Sequence, residues 1–136
     1  MKKTSCNDKI KLKMIRFQIF CSGDETVIEV TLEESGGGQM EFVACSAYFP
    51  GDSNAAPPSV NIHALVEYCK TLNKQLIIGC DCNAHHCNWG STNTNARGVE
   101  VMDFVLGNEL EILNFGNEPT FVTSNRAEVL DITIST

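Results

Sequence analysis

The sequence predicts a layered α/β or α+β fold, and three observations carry that prediction. Leu76-Ile77-Ile78 is a short apolar run without charge, the pattern of a strand buried on both faces. Directly before it, Ile62, Leu65, Val66, Cys69 and Leu72 recur at helical spacing. Further upstream, two stretches of alternating residues flank Ser35-Gly36-Gly37-Gly38, as the strands of a β-hairpin flank their turn. Strand and helix thus alternate along the chain, and such elements bury their apolar sides by packing in layers.

The length of 136 residues suits one domain with a core of its own. A hydrophobic fraction of 43% with 20% charged residues excludes wholesale disorder. The seven cysteines are odd in number and follow no framework, and no secretory leader precedes them, so reduced thiols in an intracellular setting, nucleus or cytoplasm, are expected. Lys2, Lys3, Lys9, Lys11, Lys13 and Arg16 crowd the first sixteen positions against Asp8 alone, while the net charge of the whole is −7. That balance argues against gripping nucleic acid by counterion release alone and suits divalent cations. The basic run reads as a solvated tail or exposed strand face. Lysines interrupt its apolar residues, so neither a leader core nor a membrane span can be drawn.

In chain order, Ile10, Leu12 and Met14 alternate with Lys11 and Lys13, which predicts a half-buried strand continuing loosely through Phe17 and Ile19. Ile28, Val30 and Leu32 alternate with Glu29, Thr31 and Glu33, and the partner strand of this hairpin runs from Met40 to Phe49. Ser59 is a helix N-cap, and Lys70 and Lys74 suit the C-terminal end of the helix that follows. His63 is a surface residue. After the central strand, Asn88 to Asn95 is a polar loop with Trp89 as its apolar anchor. A helix starting near Asn95 or Ala96 is expected to bury Val99, Met102, Val105 and Leu106 and to stop at Gly107-Asn108. Leu110 to Leu113 and Pro119 to Thr123 read as strands joined by a turn containing Asn and Gly, and Val129 to Ile134 as a last strand.

Reactive side chains gather where the central strand ends, in Cys80-Asp81-Cys82-Asn83-Ala84-His85-His86-Cys87. If extension persists, Asp81 and Asn83 project from one face, a carboxylate beside an amide donor. Phosphate ester chemistry needs that division of labour: one group holds and deprotonates water, the other neutralises charge on a non-bridging oxygen. The same Asp-x-Asn also fits an Asx turn that merely satisfies its own backbone. Cys80, Cys82, His85, His86 and Cys87 could alternatively ligate zinc, although they lack the two well-separated ligand pairs of structural zinc sites. Tyr48 ends the hairpin strand in Ala47-Tyr48-Phe49-Pro50, where a tyrosine is ordinarily a core residue with a wet tip.

Cys80-Asp81-Cys82-Asn83-Ala84-His85-His86 resembles the Gly-Asp-Phe-Asn-Ala-His-His motif of the endonuclease/exonuclease/phosphatase superfamily, in the form found in non-LTR retrotransposon endonucleases. Cysteines stand at the motif's glycine and aromatic positions. Ala47-Tyr48-Phe49-Pro50, Trp89-Gly90-Ser91, Asn95-Ala96-Arg97-Gly98 and Pro119-Thr120-Phe121 followed by Asp131 are similar to further family motifs, in the same order. The resemblance runs from about Val27, so residues 1–26 form a basic segment outside it and 27–136 a partial domain. It implies a fragment of a four-layer α/β sandwich, two packed mixed β-sheets with outer helices. It implies magnesium-dependent hydrolysis of DNA phosphodiesters, the nicking of target-site duplex, with a reverse transcriptase domain as partner in a longer polyprotein and no membrane association. By the same resemblance Tyr48, Asp81, Asn83 and Asp131 are catalytic, Asp131 orienting a histidine, while Asn95 and Phe121 touch substrate. Asn95 suits a helix cap equally well.

Two parts of the family's site have no match. No glutamate with an asparagine upstream of it falls in Met1 to Phe20, so the metal ligands stay unknown, and no Ser-Asp-His follows Asp131 before Thr136. Weak activity is therefore expected. A DNA-repair nuclease, a phosphatase on a smaller ester and a non-catalytic retrotransposon-derived remnant stay open.

Overall fold

The computed structural model describes residues 10–136, so Lys2, Lys3, Asp8 and Lys9 of the basic run lie outside the described residues. The strands are β1 (Lys11–Arg16), β2 (Glu25–Glu33), β3 (Gln39–Tyr48), β4 (Gln75–Asp81), β5 (Glu111–Ile112), β6 (Phe121–Thr123), β7 (Arg126–Glu128) and β8 (Asp131–Ser135). The helices are α1 (Val60–Thr71) and α2 (Ala96–Gly107). Among the described residues no helix is long and apolar enough to cross a membrane.

Six strands form one mixed sheet in the order β1-β2-β3-β4-β8-β5, and β6 and β7 pair as a separate hairpin. Only β3 and β4 run parallel, joined through α1; every other neighbouring pair is antiparallel. The β2–β3 hairpin pairs Glu33 with Gln39, and Gly37 turns its loop at φ 88°. Ser59 caps α1 by accepting a hydrogen bond from the Ile62 amide, as its sequence position predicts. Ile62, Leu65, Val66 and Cys69 then face the sheet. They pack on Val27, Val43, Cys45, Leu76, Ile78, Ile132 and Ile134, every second residue of the strands beneath, together with Val101, Phe104 and Val105 of α2. Mixed α and β elements in these layers are the predicted class.

Four expectations are corrected. The central strand is covered on one face only: Leu76 and Ile78 are buried, whereas Ile77 is 37% exposed on the side without helices. A continuous apolar run does not say which of its faces a chain covers. Strand β1 is wholly exposed rather than half-buried, with Leu12 57% and Met14 60% exposed, because it pairs with β2 alone and no helix reaches it. After Phe17 the chain leaves the strand for a 3-10 turn (Gln18–Phe20), and the Phe17 ring packs edge-on and the Phe20 ring tilted against Tyr68. Helix α2 buries Gly98, Val101, Phe104 and Val105, while Val99 and Leu106 face solvent. Its orientation is set by the close approach of Gly98 to the His85 carbonyl, where a Cβ would lie 1.7 Å from the oxygen.

The six cysteines among the described residues are free thiols. Burial pushes Cys45 and Cys82 up to about 12 and Cys69 up to about 11, so these side chains behave as small apolar groups.

Candidate functional site

Strands β3, β4 and β8 end level with one another. Parallel pairing sets Tyr48 opposite Asp81, and antiparallel pairing sets Asp81 opposite Asp131. Paired residues share a face, so the three side chains form a row on the side of the sheet that lacks helices. An open depression of about 480 Å³ lies beside it, lined by Ser46, Gly79, Asp81, Asp131 and Thr133. Gly79 keeps its floor low, since a β carbon there would meet nothing within 4 Å. Tyr48 is 44% exposed. Like charges directly opposite one another on neighbouring strands are unfavourable to the sheet.

Asn83 departs from the expected alternation. Strand β4 ends at Asp81, and Asn83 takes a left-handed conformation at φ 43° instead of continuing the strand. Its amide N–H donates to Asp81 Oδ1 at 3.2 Å, an Asx turn, and its side-chain Nδ2 donates to the Phe49 carbonyl at 3.1 Å. Asn83 stays beside the row through this turn and not through strand periodicity. Short polar side chains of this type tolerate such a backbone.

The surrounding motifs act on the main chain. Asn95 caps α2: its Oδ1 accepts from Gly98 N at 2.8 Å and also from His85 N at 3.1 Å, tying the helix start to the segment after β4. Thr120 Oγ1 accepts from the amides of Leu130 and Asp131, each at 3.0 Å, and Asn114 bonds the Asp131 carbonyl and the Thr133 amide. Both hold the start of β8 and with it the Asp131 carboxylate. Ser91 Oγ donates to the Val129 carbonyl at 2.8 Å. Phe121 lies exposed on β6. Hairpin β6–β7 is anchored by Glu128, whose carboxylate accepts from Thr92 N and Thr92 Oγ1 at 3.0 and 2.5 Å. Those two bonds, with His85 and Arg126 nearby, hold the Glu128 carboxyl below its ordinary range.

Arg97 is a further residue of the site that the sequence pattern alone does not mark. Its Nε donates to the Asn83 carbonyl at 3.2 Å and its Nη2 to the Pro50 carbonyl at 3.0 Å. One signal was available: a cation in the first turn of a helix opposes the dipole, so its charge has another use.

The cysteine and histidine cluster is not assembled for zinc. Cys80 points into the core, burial pushes its thiol and that of Cys82 up, and Cys87 is exposed. Among the described residues no three His, Cys, Asp or Glu side chains are grouped so as to hold a metal ion.

A family model described as endonuclease-reverse transcriptase matches residues 42–136. Among solved structures, the endonuclease domain of TRAS1, a telomere-specific non-LTR retrotransposon, is similar at 28% identity and a TM-score of 0.66, over 91% of this chain and 54% of that one. The human Nocturnin catalytic domain is 15% identical with a TM-score of 0.47, over 93% of this chain and 48% of that one. The chain therefore spans about half the length of these structures. No curated protein sequence matches it.

Proposed function

Because the chain belongs to the endonuclease–reverse transcriptase family, we propose that it hydrolyses DNA phosphodiester bonds, as the nicking domain of a non-LTR retrotransposon protein with a reverse transcriptase domain as partner. The row of Tyr48, Asp81 and Asp131 at the ends of three neighbouring strands is the observation that carries this reading.

Each side chain has a distinct task. The Asp81 carboxylate orients a water and takes its proton. The exposed Tyr48 hydroxyl donates to a non-bridging phosphate oxygen, and so does the second N–H of the Asn83 amide, whose first is held by the Phe49 carbonyl. Asp131 accepts a hydrogen bond from a catalytic histidine that these 136 residues do not supply, and so holds its tautomer. Phe121, exposed on the β6–β7 hairpin, contacts a base or sugar. Asn95 caps α2 through its Oδ1 and contacts phosphate through its side-chain N–H.

Magnesium takes one or two carboxylates and completes its shell with water and phosphate oxygens, and with Asp81 and Asp131 engaged as above its ligands in this chain stay unassigned. Such an ion would neutralise charge on the phosphate. A non-catalytic remnant is the second reading, favoured by the lack of a third acidic or histidine side chain beside this pair among the described residues.

Nicking of supercoiled plasmid in magnesium tests the proposal. The 136 residues alone are expected to nick at little above background. Joined to an upstream glutamate segment and a downstream Ser-Asp-His segment, they are expected to nick readily and to lose about a hundredfold to a thousandfold of that rate on Asp81→Ala. An extended protein whose nicking is indifferent to Asp81→Ala sinks the nuclease reading. One that does not nick at all favours the remnant.

A further inference from the structure

We propose that Arg97 is a positioning residue that fixes the distance between the Tyr48 segment and the Asp81–Asn83 segment. For its catalytic consequence the inference rests on the nuclease reading above; for its geometry it does not.

Strands β3 and β4 are locked in register up to their last rung, where the Phe49 amide donates to the Asp81 carbonyl at 2.9 Å. Beyond it both chains leave the sheet, and no further rung of the ladder joins them. Here the Arg97 guanidinium spans the gap, Nε to the Asn83 carbonyl and Nη2 to the Pro50 carbonyl. Each carbonyl lies two residues past a member of the row, Asn83 past Asp81 and Pro50 past Tyr48. A planar fork with fixed donor directions sets the separation of two acceptors, whereas an ammonium group on a flexible stem can serve either one without doing so.

The clamp is itself anchored. Arg97 sits in the first turn of α2, whose start is pinned by Asn95 to the His85 amide and whose Gly98 lies against the His85 carbonyl. Asn83 also holds a left-handed backbone at φ 43°, as do Asn73 and Glu109 among the non-glycine described residues. Its amide reaches the Phe49 carbonyl, so a shift of either segment would break that bond and turn the donor away from the row. The motif Asn95-Ala96-Arg97-Gly98 thus joins three jobs: a cap, a two-loop clamp and a close contact.

Amide and side-chain hydrogen exchange by NMR on the 136-residue protein, wild type against Arg97→Lys and Arg97→Ala, tests this. In Arg97→Lys, exchange of the Asn83 side-chain amide and of the Ser53 and Asn83 backbone amides, each hydrogen-bonded in the wild type, should speed up about tenfold, the protection given by one lost hydrogen bond. Val101 and Val105 in α2 should keep their protection and the thermal midpoint should hold. Arg97→Ala should give the same local pattern. Unchanged exchange around Asn83 in Arg97→Lys overturns the proposal. So does a rise spread equally through α2 with a lowered midpoint, which would make Arg97 a general stabiliser of the helix. None of these readouts uses DNA cleavage. Failure of the nuclease reading shows instead as plasmid nicking indifferent to Asp81→Ala.

Discussion

Gly98 has no room for a side chain. A β carbon there would sit 1.7 Å from the His85 carbonyl oxygen and 2.6 Å from its carbon, and both atoms are main chain that cannot swing aside. Gly98→Ala should gain about 1 kcal/mol of helix propensity and still lose about 2–4 kcal/mol net to the forced separation of α2 from the segment after β4. Gly107→Ala, in the same helix with nothing within 4 Å, should be neutral or gain up to about 1 kcal/mol. Urea midpoints of the two variants check the pair, and equal midpoints would mean that α2 does not lean on His85. At this scale the sequence was legible where chemistry is local. Ser59 and Asn95 cap their helices as their types and positions predict. Of the two readings open for Asp81-Cys82-Asn83, the Asx turn holds and the strand alternation ends at Asp81, while Arg97 stays inconspicuous in the sequence because its acceptors are carbonyls, which every residue has.

The β6–β7 hairpin illustrates what elements hide. Arg126-Ala127-Glu128 has no alternating apolar pattern, so β7 cannot be found by periodicity, and it forms because Glu128 is tethered to Thr92 and the Thr120 amide donates to the Glu128 carbonyl. The tether also makes the hairpin sensitive to pH. Glu128 has its carboxyl lowered in the folded chain, chiefly by the two Thr92 bonds, so its stabilisation is complete above the ordinary glutamate range and fades as pH falls through the folded value. Thr92→Val removes the Oγ1 bond. The stability difference between wild type and Thr92→Val should therefore be constant above about pH 5.5 and shrink below about pH 4, measured by urea unfolding across that interval. A difference that is flat across the whole interval would show that Thr92 acts through packing rather than through the carboxylate.

The described residues form a sheet with helices on one face, while the other face carries the Tyr48, Asp81 and Asp131 row beside part-exposed apolar residues such as Ile77. Strand-helix-strand alternation was enough to predict its class, because α1 joins β3 and β4 as the one parallel pair. It was not enough to predict which face is covered, since Ile77 and Ile78 look alike in sequence and only one of them faces a helix. The order of strands has a further consequence, for time rather than for space. Hairpin β2–β3 closes over a short loop, whereas β8 must cross the chain from residue 131 to pair with β4, so loop-closure entropy delays that rung. Stopped-flow chevrons should accordingly show Val43→Ala in β3 slowing folding and Ile134→Val in β8 mainly speeding unfolding. Equal effects of Ile134→Val on both limbs would refute that order. Asp81 and Asp131 are thus strangers until the final stage of folding, and a partly folded chain, however much of its hairpin it has built, does not yet own an acidic pair.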